Sequence, residues 1–446
     1  MATLSPPRPE GRQSHPGLPV LGSTFEWVKD PKAFSLRLYE QYGPVVNVNY
    51  FFKDVVFLLG IEANERVLMS RDQEFSNRNG WAQVERLFAG GLMLQDFEAH
   101  LRNRRVIQRA FTHKNLTNYL TSLRAIVEQQ VASWNGELSI KAYQQIKVVM
   151  LQTAASTFLG IRDPAECQRL NAELISMLKA AVAVAQVEIP GTQFWRGMKS
   201  RQFLKSHLGA QVAARREAGG TDLFSELCVE SLAEDSTLSN EDVVEHMIFL
   251  VMAAHDTTAS LLSSLTMKLA ENPEWQERVR EELGNLPDGY GLADLEHAPI
   301  TEAVVNETLR LHPPVPDIPR MVMKDTEVMG HFLPKGTRIV ISPGFTHHYA
   351  GYWKDPFDFD PGRFLDGAKA ITSRFQWLPF GAGVHKCIGL HFSYMQSKIF
   401  LRALLQRYRV VPAAGGATEW ISIPFPHPKQ SVGLRPRADG LIKEAA

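Results

Sequence analysis

The spacing of apolar and polar positions changes several times along this chain, and each change marks a change of element. Gly43-Pro44 precedes Val45, Val46 and Val48, and after a turn come Val55, Val56, Phe57 and Leu58. Apolar β-branched runs bounded by turn residues predict two short strands of a small sheet. From about Leu101 to Leu283 helical spacing dominates, with breaks near Gly160, Pro190-Gly191 and Gly219-Gly220. A strand-rich, loop-rich stretch is expected from Met321 to Phe364, helix again after Gly389, and strands and turns from Val410 onward. The fold class is therefore mainly α with a minor β part. Because β segments fall at both ends and in the middle, they are expected to pair across the chain. That predicts one intertwined domain over residues 1–446. Residues 1–15 are expected to be a flexible proline-rich start, and Pro16-Gly17-Leu18-Pro19 with Gly22 a rigid entry to the fold.

The longest helical pattern begins at Ser239-Asn240-Glu241-Asp242 and runs to Glu271, with Pro273 beyond it. Ser239 and Asp242 have the spacing of a capping box, with Asp a weaker partner than Glu. Val243, Val244, Met247, Ile248, Val251 and Met252 form a stripe that Phe249 and Leu250 widen. A helix apolar nearly all round belongs in a core. In its middle stands Ala253-Ala254-His255-Asp256-Thr257-Thr258, a polar cluster that needs a reason, since burying an unpaired carboxylate is costly.

Composition narrows the classes. The chain has 446 residues, 44% hydrophobic and 22% charged, enough to bury a large core without staples. Lysine plus arginine equals aspartate plus glutamate at 48 each, so nothing favours a nucleic-acid partner. Three scattered cysteines, Cys167, Cys228 and Cys387, suit neither a disulfide framework nor a zinc knuckle, and fit a reducing cytoplasm. The start has no apolar signal region, and no run of about 18 apolar residues predicts a spanning helix or membrane anchor.

Phe380-Gly381-Ala382-Gly383-Val384-His385-Lys386-Cys387-Ile388-Gly389 is a glycine-rich loop that delivers a cysteine into a helix start. Its glycines can take positive φ and let the backbone approach a flat ligand. Amide hydrogens near the sulfur, with the helix N-terminus, can stabilise a thiolate. Taken alone, a small buried cysteine in a turn would be the plainer explanation. However, Phe380, Gly383, His385, Cys387 and Gly389 match in order the haem-binding loop of the cytochrome P450 family, and the chain resembles that family over nearly its whole length.

The resemblance implies the cytochrome P450 fold, a triangular helical prism with a long central helix over haem b, and Cys387 as axial thiolate. It implies that Phe380 and Gly381 contact the haem. Glu307-Thr308-Leu309-Arg310 is similar to the family's Glu-x-x-Arg pair, and Arg363-Phe364 to the segment supplying its third member; the implied role is to fix the cysteine loop. Asp256-Thr257 resembles the acid–alcohol pair placed over the haem, with Ala254 beside the oxygen groove. Thr257 would hold an ordered water near bound dioxygen and Asp256 would relay protons, although a threonine inside a helix also commonly bonds back to the preceding turn. His100 and Arg104, Arg320 and His385 resemble propionate partners, against surface exposure as the competing explanation. His385 replaces a commoner arginine and lacks its bidentate contact. Gly362, where an acid often precedes the arginine, is expected to loosen the Arg363 segment.

Trp81, Leu87, Phe88, Leu92, Met93, Leu94, Val315, Ile318, Ile423 and Phe425 occupy positions that line the family's substrate pocket and are all apolar. They point to a lipophilic substrate: a terpenoid, sterol, retinoid-like molecule or fatty acid. Pro190-Gly191-Thr192, with Phe194, Trp195, Arg201 and His385, is similar to the branch of sterol demethylases and retinoic-acid hydroxylases. The implied reaction is monooxygenation, with electrons from a separate ferredoxin and its NAD(P)H-dependent reductase in a bacterial-type cytoplasm. Arg102, Arg105, Arg109 and Lys386 are candidates for the ferredoxin-docking face. A peroxygenase and a haem-binding sensor are the alternatives, and the Asp256-Thr257 pair argues against both.

Overall fold

The computed structural model describes residues 12–18, 22–135, 137–183, 186–365, 367–413 and 417–437. The expected flexible start lies outside these residues as far as residue 11, as does Pro19. It ends earlier than expected, because Gln13 and Ser14 form an edge strand, parallel to Val46 and Asn47. The chain forms two compact units, each built from separated stretches: residues 1–82, 306–387 and 421–426 in one, 83–305, 388–420 and 427–446 in the other.

The first unit carries a mixed six-stranded sheet. Its order is Gln13–Ser14, Val45–Tyr50, Lys53–Leu58, Arg338–Ile341, Ile318–Val322 and Phe75–Ser76. The two valine-rich strands pair antiparallel as their pattern predicts, from Val45 opposite Leu58 to Tyr50 opposite Lys53. Both faces are buried, which explains why apolar residues fall at adjacent as well as alternate positions of these strands. Val45, Val56 and Leu58 pack into one cluster, Val46, Val48, Val55 and Phe57 into another on the opposite face. The strand-rich stretch begins at Ile318 and ends at Ile341, after which a short helix, Pro343–Thr346, and turns replace the expected strands.

Within this unit Asp317 is buried and accepts a 2.6 Å hydrogen bond from the Trp27 indole. Burial pushes its carboxyl up to about 6, with Ser342 and Trp27 opposing the shift only in part. The raised value means the folded state prefers the protonated acid. Its contribution is therefore complete below about pH 4 and is lost as pH rises through about 6. Asp317→Asn should thus gain stability over the parent between those values, by up to about 3 kcal/mol for a two-unit shift. Urea unfolding at pH 4 and pH 7.5 checks this; an equal difference at both pH values would refute it.

In the second unit the long helix Asn240–Glu271 packs against the helices Ala142–Thr153, Gln193–Gly209 and Leu390–Arg407. Its capping box is formed: Ser239 Oγ accepts from the Asp242 amide at 3.1 Å, and Asp242 Oδ2 accepts from the Ser239 amide at 2.9 Å. Asp thus closes the box despite its shorter side chain. Pro273 opens the following helix, Pro273–Gly284, at a position where its missing N–H costs nothing. Among the described residues this is one helix long and apolar enough to cross a membrane, but 78% of its most apolar window is buried inside the protein. A three-stranded sheet, Tyr408–Pro412, Val432–Pro436 and Ser139–Ile140, completes the unit.

Candidate active site

The cysteine loop is built by the first unit. Gly381 and Gly383 have φ of +64° and +66°, the left-handed region that the glycine pattern anticipated. At Gly383 a Cβ would also lie 2.0 Å from the Leu68 carbonyl oxygen, so the close approach admits no side chain. The loop closes on itself: the Cys387 amide donates to the Phe380 carbonyl at 2.9 Å. Cys387 is exposed, three residues before the helix Leu390–Arg407 begins. The other two thiols are poor donors. Cys228 is buried and pushed up to about 11 by burial, and Cys167 is likewise raised.

Behind the loop stands a buried ionic network. Glu307 and Arg310 are both 0% exposed and form a bidentate pair, 2.7 Å at each oxygen. The i,i+3 spacing that could have been a solvated surface pair is a fully desolvated one. Arg310 also donates to the carbonyls of His347, Pro356 and Asp358, and Glu307 accepts from the Asp360 amide. Burial raises the Glu307 carboxyl above its ordinary value, while Arg310, the Asp360 amide and Arg363 pull against it. Arg363 Nε lies 3.4 Å from Glu307, and its other nitrogens donate to the Lys354 and Asp355 carbonyls. The segment is therefore held in place, contrary to the loosening expected from Gly362. Those two backbone acceptors need no acidic neighbour.

The sequence reading missed His347, which links this network to the loop. Its carbonyl takes the bond from Arg310, and its Nε2 accepts from the Leu378 amide at 2.8 Å, nine residues before Cys387. Burial, then Arg310, lowers its pKa to about 3, so it stays neutral and keeps that acceptor. Asn64 adds a bond to the Phe375 carbonyl at 3.2 Å.

In the second unit, Asp256 and Thr257 point to different neighbours, as adjacent positions on a helix must. Thr257 Oγ1 donates to the Ala253 carbonyl at 2.7 Å, the local bond that threonine often makes. With its hydrogen committed, the oxygen offers lone pairs and acts as an acceptor. Ala253, Ala254 and Thr257 form a half-buried face on a helix whose other sides are buried. Asp256 is 3% exposed and lies 2.5 Å from Lys147 Nζ and 3.2 Å from His255 Nδ1. Burial favours the neutral acid, but His255 and Lys147 together outweigh it, so the carboxyl falls below its usual range. Tyr143 hydrogen-bonds to Asp256 and stacks on His427 at 3.8 Å between centroids. Lys147 and Tyr143 were not anticipated: they come from a helix more than a hundred residues earlier.

The candidate propionate partners are mostly buried. His100 is 1% exposed and Arg104 half-buried on the helix Phe97–Arg109, while Arg320 is 5% exposed and donates to the Pro319 carbonyl. His385 is half-buried in the cysteine loop. The surface-exposure explanation therefore fails for His100 and Arg320. Among the pocket candidates, Leu87, Phe88, Leu92 and Leu94 are packed as core, whereas Trp81, Met93, Val315, Ile318, Ile423 and Phe425 keep accessible surface. Phe194 is also core, and Arg201 bonds Glu245 at 2.6 Å, fastening its helix to the long helix. Of the candidate docking cations, Arg109 pairs with Asp235 at 2.6 Å and Glu230 at 3.4 Å, whereas Arg102, Arg105 and Lys386 are exposed.

Comparison with known proteins agrees with this geometry. Residues 13–434 match the family model described as cytochrome P450. The chain is 35% identical over 432 residues to a putative cytochrome P450 136 of Mycobacterium tuberculosis, covering 94% of this chain and 88% of that one. It is 27% identical to abscisic acid 8'-hydroxylase 1 of Arabidopsis thaliana, over 90% of this chain and 86% of the relative. The solved structure of a retinoic acid-bound cyanobacterial CYP120A1 superposes with a TM-score of 0.85 at 27% identity, covering 96% of this chain and 99% of the other.

Proposed function

The chain belongs to the cytochrome P450 family of haem-thiolate monooxygenases, and from that premise we propose that it hydroxylates a lipophilic isoprenoid acid or a close relative of one. The family's haem is held by a cysteine thiolate, and the residues here fit it. Cys387 is the exposed thiol of the three, on a loop where Gly381 leaves open space in place of a side chain and Gly383 lets the backbone close on Leu68. That loop, anchored through His347 to the buried Glu307–Arg310 pair, is the observation that carries the proposal.

Bound haem supplies the iron at which dioxygen is activated. The other roles belong to side chains. Cys387 Sγ would provide the thiolate; His100, Arg104, Arg320 and His385 would offer cationic or hydrogen-bonding groups for propionates; Phe380 and Gly381, in the cysteine loop, would help to hold the haem. Ala254 shares the half-buried face of Thr257 and narrows it by one methyl relative to glycine. Thr257 Oγ1, already donating to Ala253, accepts from a water and holds it as the proton source. Asp256, ionised beside Lys147, takes protons from solvent through that partly exposed amine and passes them inward by rotating its side chain. Thr257→Ala should therefore leave electron consumption intact while most reducing equivalents emerge as hydrogen peroxide. Product and peroxide per NAD(P)H measure this, and unchanged coupling would remove Thr257 from the relay.

The substrate class has two supports: the retinoic acid in the similar structure and the abscisic acid of the plant relative, both lipophilic acids. Sterols, other terpenoids and fatty acids are the wider class. Electrons come from a separate ferredoxin with its NAD(P)H-dependent reductase in a cytoplasmic setting; the candidate cations for it are Arg102 and Arg105 in the second unit and Lys386 in the first. We treat the two units as one catalytic domain. The test is the spectrum of purified protein reduced with dithionite under carbon monoxide, followed by spin-state titration with such acids. A red-shifted Soret band and a shift with isoprenoid acids support the proposal. A haem spectrum lacking that band defeats the thiolate assignment, and a response to small polar aromatics alone defeats the substrate class.

A further inference from the structure

His255 stands between Ala254 and Asp256 on the long helix, and the relay of Asp256 and Thr257 gives it no part. Its ring is 1% exposed, so both of its nitrogens need partners inside the protein. Each of them faces an oxygen. Nε2 lies 3.3 Å from the Lys147 carbonyl on the helix Ala142–Thr153, and Nδ1 lies 3.2 Å from Asp256 Oδ1. A carbonyl can only accept, and so can an ionised carboxylate.

A neutral imidazole has one N–H and one lone pair. Beside an ionised Asp256, either neutral tautomer therefore sets a lone pair against an oxygen. Two arrangements avoid that clash. In one, the ring carries both hydrogens and donates to both oxygens. In the other, Nε2–H donates to the Lys147 carbonyl while a protonated Asp256 Oδ1 donates to Nδ1. They differ only in where one proton sits between Nδ1 and Oδ1, so the pair titrates as a unit. Nδ1 and Oδ1 are both buried, and among the described residues neither makes an aligned hydrogen bond. The cost of leaving them unmatched falls on this pair, and turning the Asp256 side chain, as the relay requires, is what aligns them.

The other titratable groups around the pair come from two elements. Lys147 Nζ is 2.5 Å from the same Oδ1, Tyr143 on the same helix hydrogen-bonds to Asp256, and His427 of the strand His427–Pro428 stacks on Tyr143. Burial and Asp256 keep the Tyr143 phenol protonated, so it donates without supplying a proton. The Lys147 ammonium competes with the ring for one carboxylate and repels an imidazolium, which keeps the shared proton weakly held and transferable.

We propose that His255 is a proton-holding positioning residue: with Asp256 it keeps one proton between Nδ1 and Oδ1, ready for the water on Thr257. The inference rests on the relay reading of Asp256 and Thr257. The step moves a proton alone. The Nδ1–H bond breaks as Oδ1–H forms, Nε2–H stays on the Lys147 carbonyl, the ring ends neutral, and solvent reloads the pair past Lys147.

The test is a double-mutant cycle of His255→Gln and Asp256→Asn in the haem-loaded chain. Glutamine keeps a donor for the Lys147 carbonyl but does not titrate; His255→Asn, smaller and equally unable to titrate, replaces it if glutamine disturbs the packing. In urea unfolding the two substitutions should be non-additive, and the coupling should change between about pH 6 and pH 8, where histidine charge changes. With retinoic acid as substrate, product formation by the parent should fall as pH rises over that range. The glutamine variant should be slower, on the order of tenfold at the lower pH, and should lose the dependence. Additive, pH-independent effects in urea would overturn the proposal, as would a glutamine variant that follows the parent's pH profile. Asp256→Asn at the parent's rate would defeat the relay reading and this inference with it. A slow Asp256→Asn beside an unchanged His255→Gln would defeat this inference alone.

Discussion

Glu307→Ala is expected to destabilise the protein by about 3–5 kcal/mol, because it leaves the guanidinium of Arg310 buried without its counter-charge. Arg310 is 0% exposed, so water cannot take the place of the carboxylate. Its remaining bonds, to the carbonyls of His347, Pro356 and Asp358, satisfy hydrogen atoms but not charge. Arg363 also loses its nearest acid, and the Asp360 amide loses its acceptor. The damage should extend beyond stability. Since the His347 carbonyl is bonded by Arg310 while its ring accepts from Leu378, a shift of Arg310 moves the start of the cysteine loop. The variant should unfold at lower urea and release haem faster to an apomyoglobin acceptor. Glu307→Gln, which keeps an acceptor but not the charge, should fall between. If Glu307→Ala lost stability yet released haem at the parent's rate, the link through His347 would be wrong.

The parts of this architecture legible in the sequence are those set by local chemistry. The long helix followed from its apolar surround and its cap, and the capping box formed with Asp242 as the spacing required. The two valine-rich strands followed from residues that suit a sheet buried on both faces. The cysteine loop was readable because left-handed glycines, a closed turn and a thiol leave a dense pattern in ten residues. What was illegible depends on partners far apart in the chain. Lys147 stands 109 positions before Asp256, and no periodicity connects them. His347 looked like one of two adjacent histidines with nothing to choose between them; its role arises from two hydrogen bonds it accepts, one at its carbonyl from Arg310 and one at its ring from Leu378. Arg109 was read as a docking cation because its acids, Glu230 and Asp235, lie more than 120 residues away. Four apolar residues expected in a substrate wall, Leu87, Phe88, Leu92 and Leu94, are buried, and side-chain type specifies burial but not what does the burying.

Cys387→Ser should lower monooxygenase turnover by on the order of a hundredfold or more, about 3 kcal/mol in barrier, while leaving the fold intact. The fold argument is local. The Cys387 amide, not its side chain, closes the loop on Phe380, and oxygen in place of sulfur adds no atom, so the loop keeps its own closure. The chemical argument is that an alcohol remains protonated at neutral pH, whereas a thiol is intrinsically the stronger acid and the better metal ligand as its anion. An alkoxide is not formed there, and the electron push of a thiolate towards O–O cleavage is lost. Far-UV circular dichroism and the urea midpoint should match the parent, and the red-shifted band under carbon monoxide should disappear. Glu307→Ala serves as the contrast: it should lose stability first and the band only in proportion to haem lost. If Cys387→Ser retained both the band and turnover, the ligand would have to be another residue. The alternatives are poor, because Cys228 is buried with its thiol held at about 11 and Cys167 is raised as well.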